Sequence, residues 1–187
     1  MKKKLLLVVM LISVLNASDM RKEKKDCVKG NPKACIILAL SYDLGKGVKQ
    51  DKAKGVKYYT KACNLGQATG CYLLGDNYFL GKGIKKNYPK AVKYFTKACD
   101  GGNMMGCYNI GYMYSQGKGL KKNPFKGAKF YKRACSGGEM SGCFNLGNCY
   151  FKGEGVRQSY TIAKEYFGKA CDGGHNDGCK NYAILNK

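Results

Sequence analysis

A motif that recurs every 36 residues limits what this chain can fold into. A glycine–cysteine step, followed by a Leu-Gly or Ile-Gly step and a tyrosine, occurs at 70–78, 106–114 and 142–150, and a looser copy occurs at 34–42. An aromatic pair followed two residues later by Ala-Cys keeps the same period at 58–63, 94–99, 130–135 and 166–171. A fixed period of this length is typical of stacked repeat arrays, so the sequence predicts one solenoid.

The residues within each repeat predict a pair of helices. In the first copy, Cys35, Leu38, Ala39 and Tyr42 lie at i, i+3, i+4 and i+7, which is one face of a helix. Gly45-Lys46-Gly47 ends that helix, because glycine enters the left-handed conformation of a helix end without steric cost. Residues suited to N-capping precede the second helices, namely Asp51, Asn87, Asn123 (with Pro124 at the first helical position) and Ser159.

The predicted fold is therefore all-α, with four helix pairs, a partial leading helix over 18–30 and a final helix over about 176–185. Each later first helix contains a glycine beside its apolar face, and these residues are Gly75, Gly111 and Gly147. We interpret them as points of close helix packing and not as a phosphate-binding loop.

The first 17 residues lie outside the repeats. Met1-Lys2-Lys3-Lys4 is a positive segment, Leu5 to Leu15 is mostly apolar, and Asn16-Ala17-Ser18 offers a small-residue cleavage point. These features predict a secretory signal peptide at 1–17 and a single repeat domain at 18–187. An uncleaved membrane anchor is the alternative, although the apolar run is shorter than the ~20 residues that a span needs. The predicted location is periplasmic or secreted, and the sequence does not choose between them.

The chain is strongly basic. Its formal net charge is +22, and +19 remains once the three lysines of the signal segment are removed. Such a field favours anionic partners, and export argues against nucleic acid, which leaves anionic surface polymers or a general role in solubility. The predicted second helices carry basic residues at helical spacing on what we expect to be the convex face, namely Lys90, Lys93, Lys97, Lys122, Lys126, Lys129 and Arg133.

Ten of the 11 cysteines form five equally spaced pairs, Cys27/Cys35, Cys63/Cys71, Cys99/Cys107, Cys135/Cys143 and Cys171/Cys179. In an exported chain this pattern predicts disulfides, each closing the short turn between one repeat and the next. Because His175 is the only histidine, neither a metal site nor a cofactor is predicted. His175 itself occupies a turn position for which we expect a surface role. The unpaired Cys149 is interpreted as a buried free thiol, with an intermolecular disulfide or a reactive thiol as the alternative.

Together these motifs resemble a known repeat family. Leu-Gly-x-x-Tyr, a Gly-x-Gly-Val turn and Ala-x-x-Tyr-Tyr/Phe-x-Lys-Ala are similar to the Sel1-like repeat, a relative of the tetratricopeptide repeat. The added cysteine pair resembles the Helicobacter cysteine-rich proteins. The resemblance covers about residues 27–185 and implies an exported, right-handed superhelix of disulfide-linked helix pairs. It also implies a penicillin-binding protein with weak β-lactamase activity, an expectation that no residue pattern supports independently.

One segment formally matches a catalytic motif of serine β-lactamases. Ser115 and Lys118 form S-x-x-K, in which a lysine would activate a nucleophilic serine. Lys118, however, is the middle residue of a recurring Gly-Lys-Gly turn that also contains Lys46 and Lys82. The chain has no K-T-G or S-D-N segment, so we interpret the match as coincidence and assign no catalytic residue.

The better candidate site is a set of polar side chains on the first helices, which line the concave face in superhelices of this class. Positions two and five residues after the first-helix cysteine carry Asp76, Asn109, Tyr112, Asn145, Asn148 and Asn181. Asparagine offers a donor and an acceptor, so a row of them can hold an extended peptide backbone or an amide-bearing glycan. Asparagines in these positions also form the peptide-binding clamps of the tetratricopeptide repeats that the chain resembles. A solvated helix face is the alternative.

Three functions remain open at this point. The first is a monomeric binding module for peptides, peptidoglycan fragments or partner proteins. The second is a β-lactam hydrolase, which the family resemblance implies. The third is a protein-protein adaptor or host-interacting secreted factor that acts through its basic surface without catalysis.

Overall fold

The computed structural model describes residues 17–186, and this range contains ten α-helices and no strand. The helices are α1 Ala17–Val28, α2 Pro32–Leu44, α3 Lys52–Asn64, α4 Ala68–Leu80, α5 Tyr88–Asp100, α6 Met104–Gln116, α7 Pro124–Ser136, α8 Met140–Lys152, α9 Tyr160–Asp172 and α10 Asn176–Ile184. The predicted all-α repeat fold is confirmed. Apart from Ala17, the predicted signal segment lies outside the described residues.

The chain divides into two compact units between Gly101 and Gly102. Unit 1 contains α1 to α5, and unit 2 contains α6 to α10. Within unit 1 the most extensive packing joins α2 to α3 and α4 to α5, whereas in unit 2 it joins α6 to α7 and α8 to α9. Each of these pairs corresponds to one sequence repeat.

Local side-chain chemistry sets the helix boundaries. The side chains of Asp51, Asn87 and Asn123 each accept a hydrogen bond of 2.9 Å from the main-chain N–H three residues later. Ser159 caps α9 in the same way through the N–H of Ile162, at 3.3 Å. The helices α2, α4, α6 and α8 end at glycines with φ between 69° and 76°, a conformation that costs other residues energy. The predicted caps and stops are confirmed.

In the second, third and fourth helix pairs an aromatic ring packs on a glycine, whereas the first pair has Ala39 at that position. A Cβ atom placed on Gly75 would lie 2.7 Å from the ring of Phe95, so only glycine admits that ring at this distance. The same relation joins Gly111 to Tyr131 and Gly147 to Phe167, each at 2.7 Å. Phe95 is 1% exposed, which places it in the core of unit 1. The first-helix glycines are therefore packing residues, as predicted.

A second aromatic contact repeats at the other end of each pair. The tyrosine of the first-helix motif stacks on an aromatic residue of the second helix, with ring centroids 5.5 to 5.7 Å apart. The pairs are Tyr42/Tyr58, Tyr78/Tyr94, Tyr114/Phe130 and Tyr150/Tyr166. Since parallel rings at this separation prefer an offset arrangement, the contact sets how the two helices align along their length.

Disulfides close the turns that lead from a second helix to the next first helix. Four bridges, Cys27–Cys35, Cys63–Cys71, Cys135–Cys143 and Cys171–Cys179, have Cα atoms 4.4 to 4.8 Å apart. Cys99 and Cys107 are also disulfide-bonded. Among the described residues Cys149 is the free cysteine, and it is buried.

The bridges should contribute measurably to stability. Each closes a loop with a sequence separation of 8, for which chain entropy gives roughly 2.5 kcal/mol. We expect the double variant Cys63→Ala/Cys71→Ala to lose about that free energy of unfolding in guanidinium titrations, with its helical content by circular dichroism retained.

The control for this experiment is the same comparison in a reducing buffer, where wild type and variant should differ far less because all bridges are open. Peptide mapping without reduction should recover the five local pairs and an unpaired Cys149. A long-range bridge, or equal stabilities in oxidising buffer, would contradict this account.

Candidate functional site

The candidate residues from the sequence divide between the two units. Asp76 lies on α4 of unit 1, whereas the others lie on α6, α8 and α10 of unit 2. We call this second set the amide stripe, and it consists of Asn109, Tyr112, Asn145, Asn148 and Asn181. All six side chains are half-buried, which leaves each of them partly accessible to a ligand.

Two first helices of unit 2 meet at Tyr108 and Asn145. The Asn145 amide on α8 lies beside the Tyr108 hydroxyl on α6. Burial raises the pKa of Tyr108, and the neighbouring Asn145 amide opposes the rise. The phenol therefore stays protonated at neutral pH and can donate to a ligand. Tyr108 was not among the predicted site residues, although its position directly after Cys107 places it one residue before Asn109.

Tyr112 is held by a lysine that folds back from the turn after α6. Gly117 adopts φ 69°, and the N–H of Lys118 returns to the carbonyl of Met113 at 3.0 Å. The Lys118 ammonium then donates to the Tyr112 hydroxyl at 2.9 Å and lies 4.9 Å from the centre of the ring. The lysine therefore adds a positive charge beside the amide stripe.

Ser115 and Lys118 do not come together as a catalytic pair. The Ser115 hydroxyl is buried and faces Gly127 on α7, beside the hydroxyl of Tyr131. Lys118 instead contacts Tyr112 on the preceding turn of α6. A nucleophile must be accessible and within reach of its base, and this arrangement provides neither.

His175 differs from its predicted surface role. Its ring is half-buried and stacks on Phe144, with centroids 4.6 Å apart. Its Nδ1 accepts a hydrogen bond from the N–H of Gly178 at 3.2 Å, so it caps the start of α10. Asn103 and Glu139 cap α6 and α8 from the equivalent repeat position. The prediction treated this position as an exposed turn and overlooked its capping function.

Cys149 is a buried free thiol, as predicted. It packs in the core of unit 2 with Tyr131 and Leu146. Burial, together with the charge of Glu154, raises the pKa of the thiol to about 11. Because the thiolate is the reactive form, the side chain is inert at neutral pH.

Unit 1 contains an acidic group that the sequence only partly revealed. Asp43, at the last turn of α2, lies near enough to Asp76 on α4 for its charge to act on that carboxyl. Burial raises the pKa of Asp76, while Lys82, at 3.9 Å, lowers it and Asp43 raises it. The spacing of 33 residues, one period less one helical step of three, is the signal that could have indicated the pair.

The basic residues predicted on the second helices are exposed, but Lys122 lies in the turn before α7 because that helix begins only after its cap Asn123. Lys90 lies 5.3 Å from the ring of Tyr78, and Lys126 lies 5.6 Å from that of Tyr114, so both stems cover stacked rings while the charges face water. Residues 17–186 contain no cluster of three or more His, Cys, Asp or Glu side chains arranged to hold a metal ion. No helix in the same range has the length and hydrophobicity to cross a membrane.

The raised pKa of Asp76 has a consequence for stability. Because its carboxyl is more acidic in the unfolded chain, ionisation above both pKa values costs folded-state free energy, and this cost disappears below both. We expect Asp76→Asn to raise the melting temperature at pH 7 and to leave it unchanged at pH 3. Asp172→Asn, at an exposed position in unit 2, serves as the matched control and should have little effect at either pH. A lower melting temperature for Asp76→Asn at pH 7 would show that the Lys82 ion pair outweighs burial.

Comparison with known proteins identifies the repeat. The Sel1 repeat model matches four consecutive segments, residues 32–67, 68–103, 105–139 and 141–175. These boundaries pair each first helix with the second helix that follows it, as the packing does. No protein with curated annotation matches the chain significantly.

Three solved structures are similar to this chain. A protective antigen of uropathogenic Escherichia coli with an SLR fold is 33% identical, with a TM-score of 0.86 over 89% of this chain and 36% of its own. This chain thus spans about a third of the length of that antigen. A Sel1 repeat protein from Oxalobacter formigenes is 27% identical, with a TM-score of 0.82 over 92% of this chain and 69% of its own.

The third similar structure is the Helicobacter pylori cysteine-rich protein B, which is 33% identical. Its TM-score is 0.55 over 67% of this chain and 92% of its own. Four matched repeats, helix pairs with the same boundaries and half-cystines at repeat spacing lead to one conclusion. The chain belongs to the Sel1 repeat family.

Proposed function

We propose that this protein is an interaction scaffold that binds an extended segment of a partner protein, or a peptidoglycan fragment of similar amide chemistry, along the amide stripe. The observation that carries the proposal is the register of unit 2. Asn109, Asn145 and Asn181 occupy one position of three consecutive first helices, and all three are half-buried. An extended peptide backbone presents alternating donors and acceptors, which amide side chains match.

The neighbouring contacts support this function. Asn145 lies beside the Tyr108 hydroxyl, and Tyr112 is oriented by a hydrogen bond from Lys118. Side chains that are already ordered lose less conformational entropy when a ligand binds. Tyr108 and Tyr112 also supply aromatic surface, which is common in protein interfaces because it adds contact area to a polar handle.

The environment of the protein fits the same proposal. Disulfides persist in oxidising compartments, so ten half-cystines indicate an extracellular or periplasmic location. There the exposed lysines and arginine of the second helices, which we call the basic face, would attract anionic partners. This attraction is a long-range electrostatic effect that salt screens. We propose export by the segment 1–17 and a monomeric repeat domain at 18–187, acting as an adaptor or a host-interacting factor.

The hydrolase alternative has less support. β-Lactamase activity is suggested only by the resemblance to cysteine-rich relatives. The one formal motif does not form a catalytic pair, because the Ser115 hydroxyl is buried and the Lys118 ammonium is hydrogen-bonded to Tyr112.

The amide stripe can be tested by peptide binding. A fluorescein-labelled decapeptide selected from a random library would be titrated by anisotropy against wild type, Asn109→Ala, Asn145→Ala and Asn148→Ala. An amide contact left unpaired costs about 1–3 kcal/mol, so each variant should bind roughly five- to a hundred-fold more weakly with little change in melting temperature. Asn64→Ala, at the exposed end of α3, is the matched control and should bind like wild type.

A parallel set of lysine variants separates the two faces. Lys126→Ala and Lys129→Ala should change only the salt-dependent part of the affinity, because exposed charges are screened within about 10 Å. If the asparagine variants bound normally while the lysine variants lost all affinity, the basic face would replace the amide stripe as the binding surface.

The formal catalytic motif has its own test. We expect Ser115→Ala and Lys118→Ala to hydrolyse a chromogenic β-lactam at the wild-type rate, whatever that rate is, because neither side chain is placed to attack. A loss of turnover in Ser115→Ala with an unchanged melting temperature would assign it as a nucleophile and favour the hydrolase.

A further inference from the structure

The register of unit 1 places two carboxylates where unit 2 has neutral side chains. Asp43 occupies the repeat position of Ser115, and Asp76 occupies that of Tyr112. In unit 2 the Ser115 hydroxyl lies beside the hydroxyl of Tyr131, and the residues two periods earlier in unit 1 are Asp43 and Tyr59. The same shift of two periods places Asp76 at the position of Asn148. The same architecture thus carries two negative charges in one unit and none in the other.

Both carboxylates lie close to a buried phenol. Asp43 packs against α3 beside Gly55, since a Cβ atom on Gly55 would lie at an ordinary contact distance of 3.5 Å from the Cβ of Asp43. Tyr59, also on α3, is 1% exposed, and its hydroxyl has no hydrogen-bond partner among the described residues. The charges of Asp43 and Asp76 both act on this hydroxyl and help burial to raise its pKa.

A buried hydroxyl without a partner is costly, and the charges of two carboxylates act on this one. A phenol can donate a hydrogen bond to a carboxylate, and such a bond would hold the carboxylate in place. Tyr59 is therefore suited to orienting the acidic pair. Asp43 and Asp76 are half-buried, so their oxygens remain accessible from solvent.

Within the described residues, the negative charge of Asp43 and Asp76 is only partly neutralised. The Lys82 ammonium lies 3.9 Å from Asp76 and is half exposed, a weak ion pair. Asp43 has no ion-pair partner within residues 17–186. Such surroundings are unusual for a carboxylate in a chain that contains 34 lysines and arginines.

We propose that Asp43 and Asp76 form a subsite for one organic cation, the ammonium or guanidinium of a lysine or arginine side chain in a bound peptide, with Tyr59 as a positioning residue. This inference rests on the proposed function and names a feature of the partner. Carboxylates accept charge-assisted hydrogen bonds from such groups, and partial burial strengthens them. Two carboxylates match the several N–H donors of one cationic head group.

The test is an NMR titration of ¹⁵N-labelled protein with Ac-Ala-Lys-Ala-NH₂ and with its norleucine analogue, which has a similar shape and no charge. The lysine peptide should shift amide resonances of residues 40–44 and 74–78, whereas the norleucine peptide should not. Asp43→Asn/Asp76→Asn should raise the Kd for the lysine peptide at least ten-fold. Glu165→Gln, an exposed carboxylate of unit 2, is the matched control and should leave the Kd unchanged.

Tyr59→Phe distinguishes positioning from packing. It should weaken binding of the lysine peptide several-fold while the melting temperature holds or rises, because the unpaired hydroxyl is removed. Equal shifts with both peptides, or an unchanged Kd in the double Asp variant, would overturn the cation subsite. The anisotropy assay on Asn109→Ala and Asn145→Ala reports independently on the amide stripe, so the two proposals can fail separately.

Discussion

The contact between an aromatic ring and a glycine backbone is the interaction on which the second, third and fourth repeats depend. It brings two helices closer than any side chain at Gly75, Gly111 or Gly147 would permit, and it buries the largest rings of the core. Interiors are close-packed, so the surrounding positions must fit this separation. The stacked tyrosine pairs and the Ala-Cys step satisfy the same spacing in every copy. The constant period of 36 residues in the sequence reflects that helix spacing.

With the framework set by packing, only a few first-helix positions are free to vary in chemistry. The amide stripe and the acidic pair both occupy such positions, in different units. At one register position the chain carries Asp43 and Ser115, and at another it carries Asp76, Tyr112 and Asn148. The repeat therefore separates the residues that fold the chain from those that decide what it binds. Similar proteins share the fold at 27% to 33% identity, and a shared fold does not by itself imply a shared ligand.

Local signals made most of the architecture predictable from sequence. Caps such as Asp51 and stops such as Gly45 act within a few residues, so their effect does not depend on tertiary structure. The candidate site was only partly predictable, because its contacts join residues that are distant in sequence. The fold-back of Lys118 onto Tyr112 and the approach of Asp43 to Tyr59 depend on helix packing that no motif records. His175 was misjudged for a related reason, since its capping role becomes clear only once α10 and Phe144 are placed.

The disulfides at the turns also have a mechanical consequence. Each residue of a fully extended chain spans at most ~3.5 Å. A bridge across a sequence separation of 8 therefore prevents about 28 Å of chain from extending under tension. Force applied along the chain would then separate the two helices of a repeat, whose contacts are non-covalent, before it could extend a turn. A chain extended in this way would lengthen through its repeats, and each closed turn would keep the neighbouring helices in order.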